Sequence, residues 1–188
     1  MKSVLKNMLA TAAILIGASA LCICRAADAA DRVDVSFEYR RQSGFGSNQF
    51  AIWVENAGKE IVRTLFVTDF TAGRGGWKIR EQSLPLWVAS SDIANMPSGE
   101  VDAVTGATPA SGKVTVSWDC RNKDGAPVPS GEYTLVLEAT LRGENRVVYR
   151  TPVVIGGAAR FIAPEPRYFG PDKAERGMIE DVTVDYIR

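Results

Sequence analysis

The residue types around Thr108 would let another enzyme reach and modify its hydroxyl. It ends the sequence Asp-Ala-Val-Thr-Gly-Ala-Thr at residues 102–108, which Pro109 follows. A side chain that another enzyme modifies needs an exposed backbone with little bulk beside it. Gly106 and Ala107 keep the approach open, while Pro109 fixes its own φ and disfavours a helix or a central strand. The sequence therefore predicts an exposed segment whose reactive atom is the Thr108 oxygen.

The same segment resembles the flavinylation signature Asp-x-x-Thr/Ser-Gly-Ala-Thr of the FMN-binding domain family. That family includes the sodium-pumping quinone reductases and related extracytoplasmic electron carriers. Its fixed positions are occupied here by Asp102, Thr105, Gly106, Ala107 and Thr108. In that family a flavin transferase cleaves FAD and joins FMN through its phosphate to the last threonine. The resemblance implies covalent FMN on Thr108, with the other four residues read by the transferase and Asp102 helping to position the acceptor.

Over most of the mature chain the sequence resembles a different group, the predicted periplasmic domain of unknown function 2271. The resemblance rests on the signature and on five further segments, at residues 63–65, 75–77, 84–87, 116–119 and 127–133. That group has no settled activity. The resemblance therefore implies a periplasmic location and a fold more than a function.

The first 29 residues have the pattern of a secretory signal peptide. A basic start precedes an apolar run over residues 8–23, and small residues around Ala27 and Ala29 predict cleavage there. Cys22 and Cys24 do not follow small residues as lipoprotein cysteines do, so export without a lipid anchor is predicted. An uncleaved membrane anchor is the alternative. After cleavage the chain is expected in the periplasm without stable membrane insertion.

Composition excludes several classes of function. Cleavage removes three of the 22 Lys and Arg and one of the 22 Asp and Glu, which leaves a net charge of about −2 and no argument for nucleic acid. The absence of histidine excludes Ser-His-Asp and Cys-His pairs and histidine-ligated zinc. Cys120 would be the single cysteine left, and it is interpreted as a small buried residue. Neither catalytic residues nor a metal site is predicted.

Alternation of apolar and polar residues predicts a chain made mostly of strands. Turn residues separate period-two runs at residues 33–39, 50–54, 61–70, 114–118, 133–141, 146–155 and 178–187. Residues 50–70 read as a hairpin, and Pro152 indicates an edge or a bulge. These runs predict one domain over residues 30–188, an all-β, antiparallel, immunoglobulin-like β-sandwich with one short helix. Barrel closure is the alternative.

The connections carry further expectations. The one helix is predicted from Ser83, as its cap, towards Asn95. Residues 119–125 read as a structural turn that only faintly resembles a calcium loop. Residues 156–177 lack periodicity and are expected to wrap the surface, held by Phe161, Tyr168 and Phe169.

Three side chains outside the signature could meet a flavin. Trp77 and Trp87 could pack against its ring, although an indole more often closes one edge of a β core. Arg74, in the glycine-rich segment 71–76, could meet a phosphate, although a solvated arginine is more common.

The sequence predicts an exported flavoprotein that transfers electrons outside the cytoplasm. A covalent bond would keep the cofactor on an exported protein, and the protein would position and tune it. The predicted partners are a flavin transferase and a membrane-bound redox protein. The chain is expected to be an electron-transfer protein and a transferase substrate more than a turnover enzyme. The alternative is a cofactor-free interaction or assembly module, in which sandwich edges or residues 156–177 dock another envelope protein.

Overall fold

Ten strands and three short helices make up the described part of the computed structural model, which covers residues 31–43, 48–171 and 177–188. The predicted signal peptide, residues 1–29, lies outside these ranges. The elements are β1 Arg32–Tyr39, β2 Gln49–Glu55, β3 Ile61–Thr68, α1 Gly76–Ile79, α2 Pro85–Ser91, α3 Ser98–Val104, β4 Thr105–Gly106, β5 Gly112–Trp118, β6 Gly131–Thr140, β7 Arg146–Ile155, β8 Arg160–Ile162, β9 Arg167–Phe169 and β10 Ile179–Ile187.

The strands form two sheets. One has four strands in the order β5-β1-β10-β8, and the other has six in the order β4-β3-β2-β6-β7-β9. Neighbouring strands are antiparallel except β3 and β4, which are parallel. The predicted all-β sandwich is confirmed, whereas its immunoglobulin-like strand arrangement stays a prediction.

The main core lies between the two sheets. Alternate residues of β1 and β10 point into it from the four-stranded sheet. Residues of β2, β6 and β7 pack against them from the six-stranded sheet. This burial of one face is what the period-two pattern predicted. The hairpin of β2 and β3 is confirmed. β9 pairs only with residues 146–148 of β7. Among the described strands, Pro152 therefore has a neighbour, β6, on one side only, which confirms the predicted edge position.

A second, smaller core lies on the outer face of the six-stranded sheet. Every residue of β2 is buried, because the helical layer covers the face that carries Ala51 and Trp53. Leu84 and Trp87 of the α2 region pack on this face. The molecule therefore has a third layer, which the interpretation of β2 as a strand buried on one face missed.

The expectation of a single helix was wrong, because α1 and α3 flank α2. Helices of four and seven residues are too short to give a clear helical period in the sequence. The expected cap was also wrong. The Ser83 hydroxyl is buried against the Thr71 hydroxyl at 2.6 Å, and Leu84 stands at the start of α2 instead.

Over residues 156–171, the predicted connection has more regular structure than expected. It contains β8 and β9, which pair with β10 and β7 respectively. Tyr168 and Phe169 pack against the two cores as expected, but Phe161 is 65% exposed. Three-residue strands give no detectable period, so the sequence could not reveal them. Within the ranges described above, no helix has the length and hydropathy needed to cross a membrane.

Candidate functional site

The residues of the signature occupy three consecutive kinds of structure. Asp102 lies in the last turn of α3, and Thr105 and Gly106 form β4 beside Val67 and Thr68 of β3. Residues 107–111 then cross without regular structure to β5. The expectation that the segment stays out of helices was therefore wrong for residues 102–104, whereas Thr105 and Gly106 lie on an edge strand and not a central one. Proline restricts itself and the residue before it, so Pro109 has no influence on α3.

Thr105 and Gly106 have structural roles. The Thr105 hydroxyl donates to the Val101 carbonyl oxygen at 2.6 Å and so binds a carbonyl group near the end of α3. Gly106 lies against the ring of Phe66, and a Cβ atom at this position would overlap that ring. In this chain Gly106 therefore serves close packing first, whereas the sequence suggested open access.

The remaining residues of the signature are wholly or partly exposed. Asp102 and Ala107 are exposed, and Thr108 is partly exposed and outside any helix or strand. Among the residues with described positions, none forms a hydrogen bond with the side chain of Asp102 or Thr108. The fold therefore uses Thr105 and Gly106 internally, while Asp102, Ala107 and Thr108 keep part or most of their surface exposed.

The irregular segment 107–111 is fixed at both ends. On one side the Asp69 N–H donates to the Gly106 carbonyl oxygen at 2.8 Å. On the other side the Arg41 N–H donates to the Ser111 hydroxyl at 2.9 Å. Thr108 is thus presented on a short connection between the edges of the two sheets, β4 and β5.

A cleft of about 850 Å³ extends as far as Val104, the last residue before β4. Its walls come from β3, the end of α2, one side of α3 and the turn that follows β5. Ala103 and Val104, the two variable positions of the signature, belong to its lining. Its residues are far apart in the sequence, so no local pattern could have predicted it.

The charges around the cleft are of both signs. Arg63 pairs with Asp119 at 2.9 Å, and Lys123 pairs with Asp124 at 3.2 Å. The hydrogen bond and charge of Asp124, together with the charge of Glu100, raise the pKa of Lys123. The cleft therefore has no strong excess of either charge.

Trp77, Trp87 and Arg74 are not among the residues that line the cleft. Trp87 is fully buried, and its indole N–H donates to the Thr64 hydroxyl at 3.1 Å, so it is a core residue. Trp77 is half-buried, with the Lys78 ammonium 5.1 Å from its ring centre. Arg74 pairs with Asp69 at 2.5 Å.

The segment after β5 is a structural turn, as the sequence indicated. The Asn122 side-chain oxygen accepts hydrogen bonds from the N–H groups of Asp124 and Ala126. Cys120 is buried there, and burial, followed by the charges of Asp31 and Asp119, raises its pKa to about 12. A thiol with this pKa is protonated and unreactive at neutral pH. Across the described ranges, no three side chains form a metal-binding group.

A buried carboxylate at the second core escaped the sequence interpretation. Glu138 of β6 is fully buried and accepts the N–H groups of Leu86 and Trp87, at 3.1 and 2.8 Å, together with Arg146 at 3.2 Å. It thereby holds the first turn of α2. Burial raises the pKa of Glu138, although the two N–H groups and Arg146 oppose this. An acidic residue among apolar neighbours in a strand was the one available signal.

The fold and the exposed signature define a β-sandwich with a presented edge segment. The chain belongs to the family described as "Predicted periplasmic protein (DUF2271)", which matches residues 31–165. The description agrees with the location predicted from the amino-terminal sequence, and this is a periplasmic protein. No curated protein and no solved structure matches the chain.

Proposed function

We propose that this protein carries FMN, bound covalently through its phosphate to Thr108, and transfers electrons in the periplasm. The observation that carries the proposal is the placement of Thr108. Its residue is partly exposed, lies outside regular structure and is held between two anchored strand ends. A transferase requires such an acceptor: a reachable hydroxyl on a connection whose position the scaffold fixes.

The attachment is a group transfer from FAD. The Thr108 oxygen forms a bond to the phosphorus of the FMN half, and the pyrophosphate P–O bond breaks. AMP leaves, and the hydroxyl proton passes to a base. Among the described residues, no hydrogen bond joins Thr108 to a base. The flavin transferase therefore supplies that base, since a threonine hydroxyl is a weak nucleophile without one.

The outward-facing residues of the signature form the part that the transferase reads. Asp102 and Ala107 are exposed on either side of β4, so a partner that reaches Thr108 also meets them. Thr105 and Gly106 contribute indirectly, because they hold β4 against β3 and so fix the spacing between the exposed residues.

The bound flavin supplies the electron chemistry, and the protein supplies retention and position. Electrons can pass between the flavin and a membrane-bound redox protein without catalytic residues on this chain. The proposed activity is therefore electron transfer.

The test is coexpression with a flavin transferase, followed by intact-mass measurement and visible absorption of the denatured protein. We expect a mass increase of one FMN group and covalent yellow colour. Thr108→Ser keeps a hydroxyl and retains the modification, whereas Thr108→Val loses it. A colourless protein of unchanged mass, with the transferase active on a control substrate, removes the proposal. Colour that persists in Thr108→Val shows that the acceptor is a different residue.

A cofactor-free interaction module is the second candidate, and one observation favours it. Phe161 is 65% exposed on β8, an edge strand of the four-stranded sheet. An exposed sheet edge can accept a strand from a partner, and an apolar side chain there could contact that strand. This candidate gains support from an unmodified product in the coexpression experiment.

A further inference from the structure

We propose that the cleft between β3, α3 and the turn after β5 holds the isoalloxazine ring of the FMN on Thr108. This inference rests on the proposed function and adds to it the place where the chain binds the flavin ring. It assigns a role to the two variable positions of the signature, Ala103 and Val104, which line the cleft.

The first argument is proximity along the chain. Val104 lies in the cleft wall, and Thr108 follows it by four residues, which span at most about 14 Å when fully extended. Thr105 and Gly106 are tied to β3, and the segment beyond them is anchored at Ser111. A ribityl phosphate, with a flexible chain of five carbons, joins the acceptor hydroxyl to the ring. Thr105 and Gly106 pair with Val67 and Thr68, just beyond the β3 residues of the cleft, so the ring would enter the cleft at the end lined by Leu65 and Val104.

The second argument is size and lining. The cleft has a volume of about 850 Å³, inside the range of roughly 300–1,000 Å³ that small-molecule sites occupy. Apolar side chains contribute to its walls, among them Ile61, Leu65, Met96 and Val104. Thr64, Ser90 and Ser117 also line the cleft. The Thr64 hydroxyl accepts from the Trp87 indole, and the Ser117 hydroxyl donates to Asp34. A flat aromatic ring with several hydrogen-bonding atoms fits such a mixture.

The third argument is charge. Four cationic and five anionic side chains line the cleft, so their charges nearly cancel. A strongly charged ligand would meet like charges on some side of this cleft. The oxidised isoalloxazine ring is uncharged, so neither set of charges repels it. The phosphate remains on Thr108, outside the cleft lining.

The experiment measures how well the folded protein shields a covalently attached flavin. The wild-type protein is flavinylated by coexpression, and its modification is verified by mass. Iodide quenching of flavin fluorescence and the visible circular dichroism of the flavin are then compared with those of the same protein unfolded in urea. We expect iodide quenching to be several-fold weaker in the folded protein, with a visible dichroism band that unfolding removes.

Two matched variants locate the shielding. Ser90→Phe fills the cleft from an exposed position on α2, outside the signature. Ala159→Phe adds the same bulk at an exposed position between β7 and β8, outside the cleft lining. We expect Ser90→Phe to raise iodide quenching several-fold, towards the unfolded value, while Ala159→Phe leaves it unchanged. Far-ultraviolet circular dichroism verifies that both variants are folded.

The outcomes separate this inference from the proposed function. Mass increase with shielding that only Ser90→Phe abolishes supports both. Mass increase with a flavin equally quenched in folded and unfolded wild-type protein overturns the cleft assignment and leaves the carrier function in place. Shielding that folded Ser90→Phe retains also overturns the assignment. An unmodified wild-type protein removes the carrier function and this inference with it.

Discussion

The helices α2 and α3 have the same length but differ in how much of each is buried. α2 buries Trp87, and Glu138 binds two N–H groups of its first turn. α3 buries no residue, and it ends in the signature. One helix is therefore held by a buried side chain and a buried polar group, while the other packs only the partly buried Val101 and Val104 against the second core. This contrast separates the part of the chain that stabilises the sandwich from the part that it presents to other molecules.

The largest expected effect is at the anchored helix. Glu138→Ala leaves Arg146 and two N–H groups of α2 without their acceptor, and it should lower the free energy of unfolding by about 3–5 kcal/mol. Glu132→Ala, at an exposed position of the same strand, should change it by less than about 0.5 kcal/mol. Urea unfolding measures both. Equal, small effects would mean that α2 is not held at its first turn.

The next effect tests how the presented segment is attached. Gly106→Ala forces a methyl group into the Phe66 ring, and it should cost about 1–3 kcal/mol of stability. Gly99→Ala places the same methyl group on α3 in open space, where it should be neutral or stabilise by up to about 1 kcal/mol. Thermal unfolding compares the two variants. A stable Gly106→Ala would show that β4 can move away from Phe66 without cost.

The buried carboxylate also predicts a dependence of stability on pH. Burial raises the pKa of Glu138 in the folded protein above its ordinary value of 4.5, so the folded state binds the proton more tightly than the unfolded state. Its stabilising contribution is complete below pH 4.5 and is lost as pH rises through the folded pKa. The slope from this group is at most about 1.4 kcal/mol per pH unit.

Glu138→Gln isolates this contribution. It cannot ionise, so the fall in stability above pH 4.5 should be smaller in this variant than in the wild type. Urea unfolding at a series of pH values measures the difference. An identical pH profile in both proteins contradicts the raised pKa.

The smallest effect on stability is expected at Thr108. Its side chain makes no hydrogen bond with a described residue, so Thr108→Val should change the free energy of unfolding by less than about 0.5 kcal/mol. Thr105→Val removes the hydroxyl bonded to the Val101 carbonyl oxygen, and it should cost about 1 kcal/mol. Urea unfolding of the unmodified proteins should therefore show a larger loss of stability for Thr105→Val than for Thr108→Val. A destabilised Thr108→Val would indicate a structural role at this position.

The sequence predicted the main sandwich because each of its long strands buries one face. β1 and β10 show this pattern plainly, and both were identified from it. β2 is buried on both faces, and its run of apolar residues from Phe50 to Val54 was the signal for a third layer. Short elements such as α1, β8 and β9 depend on packing partners that are distant in the sequence, so local patterns did not predict them.

The candidate site divides in the same way. The exposed signature is contiguous, so its residues could be named from the sequence alone. Its environment could not, because the cleft joins Arg32, β3, α3 and the turn near Lys123. In the sequence, Glu138 resembles a solvent-facing strand residue. In the structure α2 covers it, although Trp87 of α2 lies 51 positions earlier. Spatial neighbours separated by long stretches of sequence leave no local pattern.

The position of β10 has a consequence for how the protein reaches its location. β10 pairs along the whole of β1, with Ile179 opposite Tyr39, 140 positions earlier in the sequence. The four-stranded sheet therefore closes through contacts of very long range, which form slowly during folding. The sheet cannot close until β10 has been synthesised, and a delay of this kind favours export of a chain before it folds.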